Sequence, residues 1–252
     1  MKNEIILSLD NIHKAFHGNE VHRGVSLNLH QGETLGLLGN SGTGKSVLLR
    51  SIIGLEYIDQ GEVKFYENRL DNLKEIELFK FRTKISYAFQ NGALFDSINV
   101  FENIAYPLIE HTKLTMPEIE AKVEDLLKLI GLAGKGHLMP SDLSGGMQKR
   151  VGLARAIVLK PEVILYDEPT AGLDPENTIN ILKIMEGFKN QGISGIFVTH
   201  DIAAAIKVCD RIAILKDGKI YFNGTPTEFS NSEDSFVQKF FTLSSDNKRE
   251  KQ

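Results

Sequence analysis

Residues Gly39 to Ser46 read GNSGTGKS and satisfy the pattern G-x-x-x-x-G-K-[ST] at every required position. The chemistry of that pattern is the holding of phosphate. Glycines let the backbone turn tightly, so that its N–H groups point at phosphate oxygens. Lys45 would reach the β- and γ-phosphates of a nucleotide, and Ser46 would hold Mg²⁺. Gly39, Asn40, Ser41, Gly42, Thr43, Gly44, Lys45, Ser46 and Val47 are therefore the candidate nucleotide contacts. A glycine-rich turn with a chance lysine is the competing reading, and the flanks argue against it. Leu35, Gly36, Leu37 and Leu38 read as a short buried strand, and Val47, Leu48, Leu49, Ile52 and Ile53 as the buried face of a helix. Strand, loop and helix form one phosphate-binding unit, with the helix N-terminus adding partial positive charge.

Four further groups could share that chemistry. Asp167 and Glu168 follow the apolar run VILY, where a phosphate-loop enzyme places its second Mg²⁺ contact. Asp167 would orient Mg²⁺ through its water shell, and Glu168 would accept a proton from the attacking water. A solvated strand end is the alternative. His200 closes another apolar strand, GIFVTH. At the carboxyl edge of a parallel sheet it would face the phosphates and could hold the γ-phosphate and the attacking water. Gln90, after ISYAF, offers an amide that can touch both Mg²⁺ and water. Ser144, Gly145 and Gly146 open a helix and form a second anion cradle by the same dipole logic, or an ordinary serine N-cap. One phosphate-loop enzyme has no need of two cradles, which points to the nucleotide of another subunit.

The elements that must position these residues are legible in outline. Ile5, Leu7 and Leu9 alternate, as do Val25, Leu27 and Leu29, predicting antiparallel strands over 5–30 with a turn at HGNE. Val63 and Phe65 mark another strand after Gly61. From about 70 to 160 the pattern turns helical. Pro117 starts the clearest helix, with Ile119, Val123, Leu126, Leu127 and Ile130 on one face and Gly131 at its end. A second helix starts near Ser144, carries Met147, Val151, Ala154 and Val158, and stops at Pro161. Val163 to Tyr166 reads as a buried parallel strand, Asp174-Pro175 as a helix start, and Ile196 to Val198 as the next strand. Ile212–Leu215, Asp217-Gly218 and Lys219–Phe222 read as a hairpin. Phe236, Val237, Phe240 and Phe241 could dock as a short helix before a polar, disordered end, SSDNKREKQ.

Composition narrows the function classes. The 252 residues suffice for one large α/β domain or a domain with a lobe. Lys plus Arg (29) nearly balances Asp plus Glu (33), and the net charge of −4 gives no general attraction to nucleic acid. No 18-residue apolar run predicts a transmembrane helix, and MKNEIILSLD is no secretory signal. The one cysteine, Cys209, cannot form an internal disulfide and is expected to pack in a reducing cytoplasm.

Taken together, GNSGTGKS, Gln90, LSGGM at 143–147, VILYDE, AGLD at 171–174 and His200 resemble the ATPase subunit of an ATP-binding cassette (ABC) transporter over residues 5 to 225. The resemblance implies an α/β phosphate-loop NTPase core with an antiparallel β subdomain and an inserted α-helical subdomain. It implies boundaries at 1–90 (β subdomain and first part of the core), 91–160 (helical and signature subdomain), 161–225 (second part of the core) and 226–252 (C-terminal tail). Its cofactors would be ATP and Mg²⁺, with Ser46, Gln90 and Asp167 at the metal and Lys45, Gln90, Glu168 and His200 catalytic. Phe16 matches the aromatic that stacks on adenine, or is a strand-end core residue. Two copies would clamp head to tail, each nucleotide lying between one copy's phosphate loop and the other's Ser144, Gly145 and Gly146, with Asp174 crossing the interface. Met147 stands where the family signature usually has glutamine.

The docking surface for a multispan permease in this family lies between Gln90 and the signature. Ala93, Leu94, Phe95, Val100, Phe101, Ile104 and Tyr106 are its apolar candidates here, although several could instead be core. The stretches NGALFDSINVFENIAYPL, HLMPSDLSGGM and GNSGTGKSVLLR resemble the Mla-type subfamily, which moves phospholipid between the two membranes of Gram-negative bacteria. DEPTAGLD keeps the general ABC form where some Mla-type members differ. The subfamily implies a peripheral subunit on the cytoplasmic face of the inner membrane, with a permease, a lipid-carrier domain protein, a small STAS-domain protein and no nucleic acid. The alternatives are the ATPase of a polar-solute importer, a soluble ABC protein acting on DNA or ribosomes, and a nucleotide-binding regulator that does not hydrolyse.

Overall fold

The computed structural model describes residues 4–241. The end SSDNKREKQ, expected to be disordered, lies outside the described residues. In chain order the elements are β1 (Ile5–Phe16), β2 (Asn19–His30), β3 (Thr34–Leu38), α1 (Lys45–Ile52), β4 (Gln60–Phe65), β5 (Asn68–Arg69), α2 (Glu75–Arg82), β6 (Ile85–Ala88), α3 (Val100–His111), α4 (Met116–Leu129), α5 (Gly145–Ile157), β7 (Val163–Asp167), α6 (Pro175–Asn190), β8 (Ser194–Val198), α7 (Ile202–Val208), β9 (Arg211–Lys216), β10 (Lys219–Gly224) and α8 (Pro226–Ser230). They divide into two compact units, one built from the chain up to Leu78 and again from Ser194 onward, the other from Phe79–Ile193.

The first unit holds two sheets. One is antiparallel, with the order β2-β1-β4-β5. Its β1–β2 turn is His17-Gly18, both with positive φ (49° and 83°), the backbone twist that suits a two-residue hairpin. In the other, β3 pairs in parallel with both β8 and β9, and β10 runs antiparallel to β9. Both β3 and β8 are buried at every residue, as strands covered on both faces must be. Cys209 is buried against this sheet, close enough that a Cβ on Gly36 would lie 2.9 Å from its Sγ. The expected short helix is present at 235–241, with Val237 buried and the Phe236 ring meeting those of Tyr221 and Phe240 edge-on at 5.0 and 5.2 Å.

The second unit carries a parallel pair, β6 with β7, and helices α3 to α6. Here the sequence reading needs correction. The stretch 70–160 is not uniformly helical, because Ile85–Ala88 forms β6. Four residues are too few for a period to register, and the pairing partner at Val163–Tyr166 lies far along the chain. The apolar run after Gln90 also divides. Val100 and Ile104 are core residues of α3, whereas Phe95 and Tyr106 are exposed, their rings meeting at a tilt of 59° with centroids 5.2 Å apart. Asn99 and Glu102 cap α3 reciprocally, and Thr115 with Glu118 caps α4. In α5, Val151 and Ala154 are buried and Met147 only half-buried. Among the described residues no helix is long and apolar enough to cross a membrane.

Candidate nucleotide site

In the first unit, β3 delivers the chain into the phosphate loop and α1 leaves it. Lys45 is 5% exposed, and its ammonium donates to the carbonyls of Gly39 and Asn40 at 2.9 Å each. The Thr43 hydroxyl donates to the Asn40 carbonyl at 2.9 Å, bracing the same turn. Gly44 caps α1 at φ 93°, where a side chain would be strained, and a Cβ there would collide with Val21 Cγ1 and reach within 2.8 Å of His22 Nε2. His200 follows β8 directly, and β8 pairs with β3, so His200 and the phosphate loop occupy the same carboxyl edge of one sheet. Phe16 ends β1, half-buried, with the Lys14 ammonium 4.8 Å from its ring centroid.

Sequence reasoning gave His22 no role. It is 1% exposed beneath the loop, with Nε2 3.1 Å from the Gly44 carbonyl. A carbonyl only accepts, so Nε2 carries the proton. Nδ1 then keeps a bare lone pair, which is buried without a hydrogen-bond partner. Burial lowers the His22 pKa, the Gly44 bond opposes that, and nearby Lys14 lowers it further. The consequence for stability has a definite sign. The unfolded chain takes up a proton near the ordinary value of about 6.5, and the folded chain does so only at lower pH. Stability is expected to fall as pH drops below about 6.5, down to the depressed folded value. His22→Leu should flatten that part of a melting-temperature profile. An unchanged slope in the variant would assign the pH dependence elsewhere.

In the second unit, the parallel pair gathers the other acidic and amide groups. Tyr166 pairs with Ala88, so Asp167 and Glu168 leave β7 at the same edge at which Gln90 leaves β6. Asp167 is 5% exposed, and the Tyr87 hydroxyl donates to its Oδ2 at 2.6 Å, fixing the carboxylate's orientation. Glu168 adopts φ 49° immediately before Pro169, an uncommon conformation for a non-glycine residue and one that a proline further disfavours.

The loop after β6 is fastened to α5. A Cβ on Gly152 would lie 2.7 Å from Gly92 Cα, so only glycine permits that approach. The Arg155 guanidinium donates to the carbonyls of Gly92 and Ala93 at 3.0 and 2.8 Å, and burial lowers its pKa. Asn103, fully buried, accepts from the Phe95 amide at 2.9 Å and donates to the carbonyls of Phe95, Ile98 and Asn99 at 3.0–3.1 Å. Together they shape a groove of about 390 Å³ lined by Arg82, Tyr87, Phe95, Tyr106, Pro107 and Arg155. Neither Asn103 nor Arg155 was singled out by sequence, because their partners are backbone carbonyls.

At the other end of α5, Ser144 is the N-cap and accepts from the Met147 amide at 3.3 Å. Ser144 and Gly145 are exposed, and Gly146 is buried against Asn177. Asn177 in turn binds Asp174, the N-cap of α6, through its amide N–H and side chain at 2.8 and 2.6 Å. These bonds hold the Asp174 carboxyl below its ordinary pKa.

The family model described as "ABC transporter" matches residues 22–171. The chain belongs to the ABC transporter family. This ABC ATPase is 38% identical over 217 residues to the intermembrane phospholipid transport system ATP-binding protein MlaF of Escherichia coli, covering 86% of this chain and 81% of that one. It is 37% identical over 233 residues to the methionine import ATP-binding protein MetN 1 of Acinetobacter baylyi, covering 91% of this chain and 65% of that one. Among solved structures, a dimeric ATP-binding cassette in a post-hydrolysis state bound to ADP and Pi superposes with a TM-score of 0.82 at 31% identity, over 87% of this chain and 98% of that one. The α/β cassette fold is thus established, with an antiparallel sheet, a second sheet with parallel pairing, and helical segments. ABC ATPases bind ATP, and the loop suits it: a helix N-terminus, left-handed glycines and a lysine already positioned by two carbonyl oxygens. Among the described residues no cluster of three His, Cys, Asp or Glu could hold a metal ion. Mg²⁺ held by one or two side chains and the phosphates of a nucleotide needs no such cluster.

Proposed function

We propose that this ABC ATPase is the ATP-hydrolysing subunit of a phospholipid transporter, peripheral on the cytoplasmic face of an inner membrane. The observation that carries the lipid reading is the resemblance of NGALFDSINVFENIAYPL, HLMPSDLSGGM and GNSGTGKSVLLR to the Mla type, together with the 38% identity to the phospholipid-transport relative. A polar-solute importer is the second reading, favoured by the methionine-import relative at 37% identity.

The roles follow from the residue chemistry. Backbone N–H groups of 39–47 and the Lys45 ammonium bind the β- and γ-phosphates. Ser46, Gln90 and Asp167 would hold Mg²⁺, which would supply positive charge to the phosphates. Glu168 takes the proton of the attacking water, and His200 holds the γ-phosphate and that water in line. Phe16 stacks on adenine. Ser144, Gly145 and Gly146 bind the nucleotide of a second copy, head to tail, with Asp174 at that interface. A nucleotide that binds the closed pair better than the open one does work on the membrane subunits through that difference in affinity.

The groove beside Phe95 and Tyr106 suits a cytoplasmic helix of a multispan permease, because aromatic faces and arginines are what such interfaces favour. A lipid-carrier domain protein and a STAS-domain protein are the further partners. The acidic charge balance argues against nucleic acid. Purification of the tagged chain from its own membranes in mild detergent tests the reading. A permease with lipid-carrier partners and enriched phospholipid is expected by mass spectrometry. A solute permease would keep the ATPase and replace its cargo. Absence of any membrane partner would remove transport.

A further inference from the structure

Lys149 lies one turn into α5, five residues after Ser144, and is 9% exposed. Its ammonium donates to the Ala171 carbonyl. Ala171 closes a turn back onto the catalytic segment, its N–H donating to the Glu168 carbonyl at 3.1 Å. Glu168 within that turn has its unusual φ of 49°. Burial works against the Lys149 charge, and the attraction of the Glu168 carboxylate works for it. A buried ammonium is costly, and an apolar side chain of similar length would fill the same space at less cost. The charge therefore has a local purpose. The same helix end is linked to Asp174 indirectly as well, because Gly146 meets Asn177 of α6 and Asn177 binds Asp174.

We propose that Lys149 is a positioning residue that fastens the Glu168–Ala171 turn to the signature helix, so that the catalytic carboxylate and Ser144–Gly146 move as one piece. One copy's signature would then report its partner's nucleotide to its own Glu168. The proposal rests on the reading of Glu168 as the base and Ser144–Gly146 as the contact for the second copy's nucleotide.

The test uses the assembled complex with Lys149→Met, Lys149→Gln and Lys149→Arg. Lys149→Met is expected to lower kcat about tenfold through misplacement of the base. KM for ATP and the affinity for a fluorescent ATP analogue should stay within about twofold, because the phosphate loop is untouched. Cooperativity in ATP should fall with kcat. Lys149→Arg, which keeps charge and donor, should recover most of the rate. Lys149→Gln, which keeps a donor for Ala171 without the charge, should lie between. Wild-type kcat and cooperativity in Lys149→Met would overturn the proposal. So would a rate loss accompanied by a lower melting temperature that arginine does not restore. A parallel Glu168→Gln sample separates the two readings. If it is inactive while Lys149→Met is unaffected, only the positioning role falls; if it turns over normally, the base assignment falls first.

Discussion

Glu168→Gln is expected to reduce phosphate release by about 10²- to 10⁴-fold, the range that general-base catalysis supplies. Nucleotide binding should survive. The substitution keeps the size and shape of the side chain and removes only the carboxylate that can accept a proton. The backbone at Glu168 is already in a costly conformation, φ 49° before a proline, so the surrounding turn and not the side chain's own preference sets its direction. Gln inherits that direction. The variant should therefore bind ATP at wild-type affinity and accumulate as the closed pair of copies, seen as a shift to dimer by size exclusion when ATP is present. Two measurements decide it: phosphate release at saturating ATP, and mass in solution with and without nucleotide. Wild-type turnover would remove Glu168 from the base role. Loss of turnover with loss of ATP binding would mean that the substitution damaged the β7 edge, and Asp167, held by Tyr87 at 2.6 Å, would be the place to look.

The sequence exposed the contiguous elements well and the long-range fastening poorly, for physical reasons. GNSGTGKS is contiguous, and the turn it makes between β3 and α1 is set by its own glycines, so eight letters suffice to place it. The two hairpin turns, His17-Gly18 and Asp217-Gly218, are equally local, since each depends on two residues that tolerate positive φ. The strand β6 was read as part of a helical stretch because Ile85–Ala88 is specified by its partner β7, not by its own period. The apolar run at 93–106 divides between core and surface, and packing of α3 against α4 and α5, not the run's own pattern, decides that Ile104 is inside and Tyr106 outside. Asn103, Lys149 and Arg155 are invisible to sequence patterns for a common reason. Each acts on main-chain carbonyls, which every residue carries and no motif records. Gly152 belongs with them: its lack of a side chain matters only because Gly92, far along the chain, comes within van der Waals reach.

Lys45→Ala is the second change expected to have a large effect, and it acts on affinity. Lys45 is 5% exposed and its ammonium is tied to the carbonyls of Gly39 and Asn40, so its position over the loop is fixed before a phosphate arrives. A hydrogen bond to a charged group contributes about 1.5–3 kcal/mol. At about 1.4 kcal/mol per factor of ten, ATP should bind about 10- to 100-fold more weakly in Lys45→Ala. Alanine also leaves two loop carbonyls without their donor, which adds to the loss. Lys45→Arg should not rescue binding. The lysine ends in a compact point charge that three short bonds can surround, whereas a guanidinium is planar and larger and would displace the Gly39 and Asn40 carbonyls that shape the loop. Titration with a fluorescent ATP analogue measures the affinity directly. A melting curve gives an independent reading: ATP at about 100 times its Kd should stabilise the wild-type chain by about 2.7 kcal/mol, and the same concentration should stabilise Lys45→Ala by only about 0.4–1.4 kcal/mol. An unchanged Kd with lost hydrolysis would move Lys45 from ground-state binding to the transition state. An unchanged Kd with unchanged hydrolysis would take the nucleotide away from this loop altogether.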